Sequence, residues 1–468
     1  MLFTNILENI KDEIINKTQE LVQIKSVETL SKPGMPFGEG VNEALEYTLK
    51  LCKDLGFKIK NFDGYAGHAD LGEGDEMIGI LVHLDVVPEG DLENWTYPPY
   101  SATIKNNRIY GRGTIDDKGP TIAAIYAMKA LKDSGVLLKK KIRIIFGTDE
   151  ESGWECMRYY LKKEKAPQIA FTPDANFPVI YGEKGIITLK LKQEFNVPSN
   201  SKINIKYIRG GELSNIVPNY CEALLYIKNE PSSIYEECLS LIKKEKYSID
   251  LHLDNNNLYL KSHGVSAHAM EPQKGKNAIS QLMQVLKVLN LESTQMNSFI
   301  DFYNNKINTQ TNGESLNCQM NDKDSGELTL NVGIIDFCEN KGELTLNIRY
   351  PVTKKDTMVI DKINANLINS NIKMEIINNM PPLYMPKDSK LVKTLTSVYK
   401  KMTNDDTQAQ TFGGGTYARA LDNAVAFGPI FPGQVNLAHQ TDEFIEIDDL
   451  IKNAQIMAQA IYELDLLD

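Results

Sequence analysis

The 468-residue sequence has little sulfur to build with: six cysteines, Cys52, Cys156, Cys221, Cys238, Cys318 and Cys338, none close to another. That scatter supports neither a disulfide framework nor a thiolate zinc site, and reads as reduced, buried thiols in a cytosol. Positive charge is also short. Lys and Arg number 51 against 62 Asp and Glu, a formal net charge of −11, which repels phosphate backbones and leaves no basic stripe for nucleic acid. Long apolar runs are missing: MIGILVHLDVV is broken by His83 and Asp85 well short of the roughly 20 residues a membrane helix needs. At the N-terminus Ile6, Ile10, Ile14 and Leu21 share one helical stripe with charges between them, unlike the unbroken apolar segment of a signal peptide. Repeats and biased tracts are absent too, so the sequence predicts a foldable cytoplasmic protein with no membrane or nucleic-acid partner.

What is present is a length beyond the roughly 250–300 residues at which single cores stop growing, which predicts two domains. Up to about residue 180, helical patterns alternate with short apolar runs, the signature of a mostly parallel sheet flanked by helices. MIGILVHLD, KIRIIFGTDE and QIAFTPD read as buried strands, each with a carboxylate at or just past its end, where open parallel sheets bind ligands. KGPTIAAIYAMKALKDSG reads as a helix with Ile122, Ile125, Tyr126 and Leu131 toward one face and Gly135 as its stop. From about residue 186 strand-like alternation dominates, as in GELTLNVGIIDF and GELTLNIRYPV around a turn at ENK. The helical texture resumes near residue 385 with SKLVKTLTSVYKKM. The predicted architecture is an α/β catalytic domain in two parts, 1–184 and 383–468, with an α+β lid domain, 185–382, inserted between them.

Chemistry concentrates at the strand ends. In LVHLDVVPEGD, His83 and Asp85 stand two apart and share a side. GRGTIDDKGP holds Asp116 and Asp117 before a helix that either of them can cap. GTDEESG packs Asp149, Glu150 and Glu151 together, an arrangement whose repulsion calls for cations. FTPDANFP adds Asp174, and NLAHQTDEFIEIDDL adds His439 just before a helix. Two imidazoles and several carboxylates from distant segments form a nitrogen and oxygen donor set suited to zinc, cobalt or manganese. If Asp174 and His439 share a site, the chain between them leaves and returns. Of the other histidines, His268 lies in a glycine-rich turn between a strand and a helix, while His68, His252 and His263 read as structural.

In this order LVHLDVVP, GRGTIDDKGP, GTDEESG, TPDANFP and AHQTDEF resemble the co-catalytic zinc peptidases that include aminoacylase, acetylornithine deacetylase and succinyl-diaminopimelate desuccinylase. The GRGTIDDKGP form, the length, the long insertion and the GGGTYAR segment are most similar to the PepV-type dipeptidases over essentially the whole chain. The resemblance implies two divalent metal ions per chain, zinc first with manganese or cobalt as alternatives. His83 and Asp174 would hold one, Glu151 and His439 the other, with Asp116 bridging. It further implies Glu150 as general base toward a bridging water, Asp85 as the group orienting His83, and a cis peptide between Asp116 and Asp117. His268 would donate a hydrogen bond to the oxyanion, and Arg349 would clamp the substrate's carboxylate. Asn215 and the turn Gly413, Gly414, Gly415 would approach the substrate. The implied reaction is dipeptide hydrolysis by a monomer, with N-acyl amino acid hydrolysis, as in the desuccinylase and deacetylase branches, as the alternative.

Overall fold

A computed structural model describes residues 2–196, 201–289 and 291–467. They form two compact units. The first comprises residues up to Gly182, Leu383–Thr411 and Gly415 onward, and the second Glu183–Pro382 with Phe412–Gly414. The short stretch 412–414 thus groups with the second unit although its sequence neighbours on both sides belong to the first.

In the first unit the strand Met77–His83 is buried at every position, because it is paired in parallel with Lys141–Gly147 on one side and Ile169–Thr172 on the other. A strand covered on both faces has no solvent side to alternate with. Ala424–Ala426 extends the parallel centre beyond Ile169–Thr172, and antiparallel strands flank it: Ala66–Leu71 pairs Lys141–Gly147, and Ile180 pairs Ala426. The sheet is therefore mixed and parallel at its middle. His83 lies opposite Gly147 and Ile80 opposite Phe171, so the three central strands end almost level and their next residues emerge side by side.

Two sequence expectations are corrected here. The helix Lys118–Asp133 is buried without interruption from Lys118 to Met128 instead of on one face. It packs against Met77–His83 and Lys141–Gly147 and also against the helices Leu2–Asn9, Lys11–Val22 and Ile447–Asp465, and Ala123, Ala124 and Ala127 are as fully buried as Ile122, Ile125, Tyr126 and Leu131. Small alanines leave no periodic trace of such a contact. Gly135 does follow the helix end, in a left-handed conformation with φ +72°. The N-terminal stripe is split between two helices that break at Ile10, and the buried positions include Phe3, Leu7, Ile14 and Leu21.

The second unit is an eight-stranded antiparallel sheet in the order Ile249–Asp254, Asn257–His263, Tyr220–Ile227, Ile203–Gly210, Thr329–Cys338, Lys341–Tyr350, Gly185–Glu194 and Lys373–Met380. Thr329–Cys338 and Lys341–Tyr350 are joined by Glu339 and Asn340 alone, since Lys341 of the expected turn already belongs to the strand. Leu189, Leu225 and Leu346 share a core with Ile242, Leu282, Phe299 and Ile363 of helices Pro231–Glu245, Ala278–Leu286, Thr294–Phe302 and Asp356–Leu367. Among the described residues no helix is long and apolar enough to cross a membrane.

The buried surroundings of the Lys118–Asp133 helix make Ala124→Glu strongly destabilising, because a carboxylate forced into this layer lacks a partner. An expected loss of about 3 kcal/mol or more is checked by urea unfolding, whereas a helix with a wet face there would tolerate the change.

Candidate metal centre

His83 closes its strand, and its Nδ1–H donates to the main-chain carbonyl of Asp85 at 3.0 Å. A carbonyl only accepts, so the proton is fixed on Nδ1 and Nε2 is turned toward the acids. Nε2 lies 3.0 Å from Asp116 Oδ1 and 3.9 Å from Asp174 Oδ1. The second oxygen of Asp116 lies 3.1 Å from His439 Nε2, which is also 3.0 Å from Glu151 Oε1. Asp116 therefore stands between two imidazoles, one carboxylate oxygen toward each. The peptide from Asp116 to Asp117 is cis, and the Asp117 carboxylate accepts from the His83 backbone N–H at 3.1 Å.

The acidic run after the second central strand resolves into different jobs. Asp149 is bonded locally, accepting from the backbone N–H groups of Gly153 at 2.8 Å and Glu155 at 2.6 Å in the turn before helix Glu155–Lys163. Only Glu150 and Glu151 join the cluster. The carboxylate of Asp85 accepts from Glu151 N–H at 2.9 Å, while its other oxygen is 3.7 Å from His83 Nδ1, beyond hydrogen-bond reach. Asp85 thus meets His83 through its main chain, and its side chain fixes the glutamate loop.

Electrostatics follow from this crowding. Burial raises Glu151 and the nearby Asp116 charge adds to it, giving a carboxyl at about 7. Burial together with the Asp174 charge holds Glu150 well above the usual carboxylate range. For His439, desolvation of the part it turns inward favours the neutral ring but is outweighed by Asp116 and Glu151, which push it up to about 11. His83 is shifted the same way by Asp116 and Asp174 against its burial. The facing acids thus favour positive charge at both rings. Two ring nitrogens and the oxygens of Asp116, Glu151 and Asp174 form a donor set that fits divalent cations of the zinc or manganese kind. Ligand atoms of His83, Asp116 and Glu151 all lie within 4.8 Å of one another.

His439 does not run directly into a helix as expected. It sits in a turn with φ +65°, and the strand Phe444–Glu446 precedes helix Ile447–Asp465. Sequence reasoning also passed over a buried ion pair inside two of the motifs: Arg112 Nη1 donates to Glu443 Oε2 at 2.7 Å. The only signal was the presence of an arginine and a glutamate beside the proposed ligands.

In the second unit, Arg349 is buried, with Nε donating to Asn347 Oδ1 at 2.9 Å and Nη1 to the carbonyl of Gly413 at 2.8 Å. A Cβ on Gly413 would lie 2.8 Å from Met270 Cβ, so the close approach requires glycine. His268 Nδ1 accepts from Met270 N–H at 3.2 Å. Burial, with Arg349 nearby, lowers this ring to about 4, so it is neutral near pH 7 with its proton on Nε2. Asn215 is exposed, its carbonyl accepts from Ala269 N–H, and with Arg349 and Asn347 it lines a cavity of about 560 Å³. Gly414 is buried in this unit, and Gly415 is exposed in the first. His68 bonds the Tyr160 hydroxyl at 2.9 Å and His263 bonds Asp250 at 3.0 Å, both away from the acid cluster.

A parallel-centred sheet carrying acids and imidazoles at its strand ends, with a separate antiparallel unit, defines a metallopeptidase class. Residues 79–463 match the model of peptidase family M20/M25/M40. A Bacillus subtilis (strain 168) protein named "Putative dipeptidase YtjP" is 43% identical over 460 residues, covering 97% of each chain. A further "Putative dipeptidase", from Staphylococcus aureus (strain USA300), is 36% identical over 466 residues and 98% of each chain. The crystal structure of human carnosine dipeptidase 1 shares the fold, with a TM-score of 0.59 at 16% identity over 99% of this chain and 98% of that one. The chain belongs to peptidase family M20/M25/M40 and is a metallopeptidase.

Because cation binding requires imidazole nitrogens and carboxylates without their protons, the raised positions of His439 and Glu151 make protons compete with the metal. Affinity for Zn²⁺ or Mn²⁺ is expected to rise from pH 6 to pH 8 with net proton release. Calorimetry in buffers of different ionisation enthalpy measures this, and pH-independent binding without proton release is the contrary result.

Proposed function

We propose that the chain is a metallodipeptidase in which His83 and Asp174 hold one divalent cation, His439 and Glu151 a second, and Asp116 serves both. The observation carrying this reading is the Asp116 carboxylate between two imidazoles, 3.0 Å from His83 Nε2 and 3.1 Å from His439 Nε2. Zinc suits the donor set, and manganese or cobalt can replace it. When bound, such a pair acidifies a water and polarises the scissile carbonyl.

The chain's own residues handle protons and position groups. Glu150, in surroundings that strengthen its hold on a proton, takes one from the attacking water and passes it to the leaving amine. Asp85 fixes the His83 tautomer through its carbonyl and the Glu151 backbone through its carboxylate. His268, neutral with its proton on Nε2, is the donor for the developing oxyanion. Arg349 is oriented by Asn347 and Gly413 and binds the free carboxylate of the substrate, with Asn215 and the 413–415 turn alongside. The dipeptide as substrate is supported by the names of the relatives that match nearly the whole chain. Six free thiols accord with a reducing cytoplasm.

A screen of dipeptides, tripeptides and N-acyl amino acids with metal-reconstituted enzyme is expected to give dipeptide cleavage with a steep fall at three residues. Preferred cleavage of N-acyl amino acids sinks the dipeptidase reading. Glu150→Gln is expected to keep its cation content and lose turnover by roughly 10²–10⁴-fold, and unchanged turnover removes Glu150 as the base. Arg349→Lys loses a planar two-point donor and is expected to raise KM by roughly tenfold or more with a smaller change in kcat, read from initial rates.

A further inference from the structure

Among the proposed ligands His439 is the least supported by its own surroundings. Its side chain is 52% exposed, whereas that of His83 is 1% exposed. Its backbone is left-handed, and residues 432–436 before it are exposed. Something other than burial must hold this ring against Asp116 and Glu151.

The buried pair Arg112–Glu443 touches both arms of that contact. Arg112 Nη1 donates to Glu443 Oε2 at 2.7 Å and to the carbonyl of Gln440, next to His439, at 3.1 Å. Glu443 Oε1 accepts from the N–H of Ile115, next to Asp116, at 3.0 Å, and the Glu443 carbonyl accepts from Gly111 N–H at 2.9 Å. The two side chains are 2% and 0% exposed. A buried ion pair is a poor way to gain stability, since apolar residues of similar volume do as well or better. What it supplies is a fixed register between two loops. His83 closes one central strand and Asp174 follows another, so the sheet itself positions them.

We infer that Arg112 and Glu443 are positioning residues that set the loop of His439 against the loop of Asp116, so that the cation site of His439 and Glu151 depends on them more than the His83–Asp174 site, which shares only Asp116 with it. This rests on the two-cation reading above. The test is calorimetric titration of the metal-free chain with Mn²⁺ or Zn²⁺ for wild type, Glu443→Gln and Arg112→Lys, with circular dichroism as the check on folding. Glu443→Gln keeps the shape and drops the charge. Arg112→Lys keeps the charge and loses the planar fork that reaches Glu443 and Gln440 together.

Wild type is expected to take up two cations. In each variant one site weakens by about tenfold or more and the other, which shares only Asp116 with it, weakens distinctly less; kcat falls, and excess cation restores it with KM little changed. A purely structural role gives neither selective weakening nor rescue by cation. Equal weakening of both sites, no weakening of either, or failure of both variants to fold overturns the inference. A wild-type chain that binds a single cation overturns the two-cation reading, and the clasp with it.

Discussion

Negative charge gathered out of water is the constraint on which the first unit depends. Asp85, Asp116, Asp117, Glu150, Glu151 and Asp174 converge where three parallel strands end level, and ionised carboxyls in that setting repel one another and resist burial. The chain answers with oriented backbone donors and two rings. Asp117 is held by the His83 N–H and Asp85 by the Glu151 N–H, while Asp116 sits between imidazoles. Each donor belongs to a segment that itself carries another member of the cluster or packs against one. The acids are thus fixed in part by one another's main chains.

This mutual fixing explains what was legible in the sequence. Uniformly apolar runs ending in acids revealed the central strands, because a strand paired on both sides and covered on both faces has no reason to alternate. The ligand-type residues were visible for a related reason: an acid directly after an apolar run is hard to explain by packing. The direction of each acid was not visible. Asp149, Glu150 and Glu151 are consecutive, and only the turn geometry sends Asp149 to cap Gly153 and Glu155. The ion pair Arg112–Glu443 lay hidden because contacts between positions 331 apart leave no periodicity. Likewise the alanines of Lys118–Asp133 carry no mark that distinguishes a helix contact from solvent. The assignment of 412–414 to the second unit rests on long-range bonds, such as Arg349 to the Gly413 carbonyl, that local pattern cannot encode.

The histidines show how environment divides one residue type into opposite roles. His83 and His439 are shifted toward the protonated form because the acids facing them outweigh desolvation. His268 loses its proton because burial is reinforced by the Arg349 guanidinium, with Glu271 opposing only weakly. A ring surrounded by acids is suited to give way to a cation, and a ring beside an arginine is suited to remain neutral and donate from one nitrogen. No feature of the residue itself makes that choice.

Arg349 itself depends on the same logic of tethering. Its Nε and Nη1 are each bonded, to Asn347 and to Gly413, so the plane of the guanidinium is set by groups on a strand and on a distant turn. A lysine in its place carries the charge without a plane to be set. The Gly413 carbonyl can reach the guanidinium only because the residue lacks a Cβ that would press on Met270. Met270 also donates the backbone bond that fixes the His268 tautomer. One backbone approach therefore links the orientation of the arginine to the protonation of the histidine, which makes the glycine at 413 a requirement of packing with consequences for two polar side chains at once.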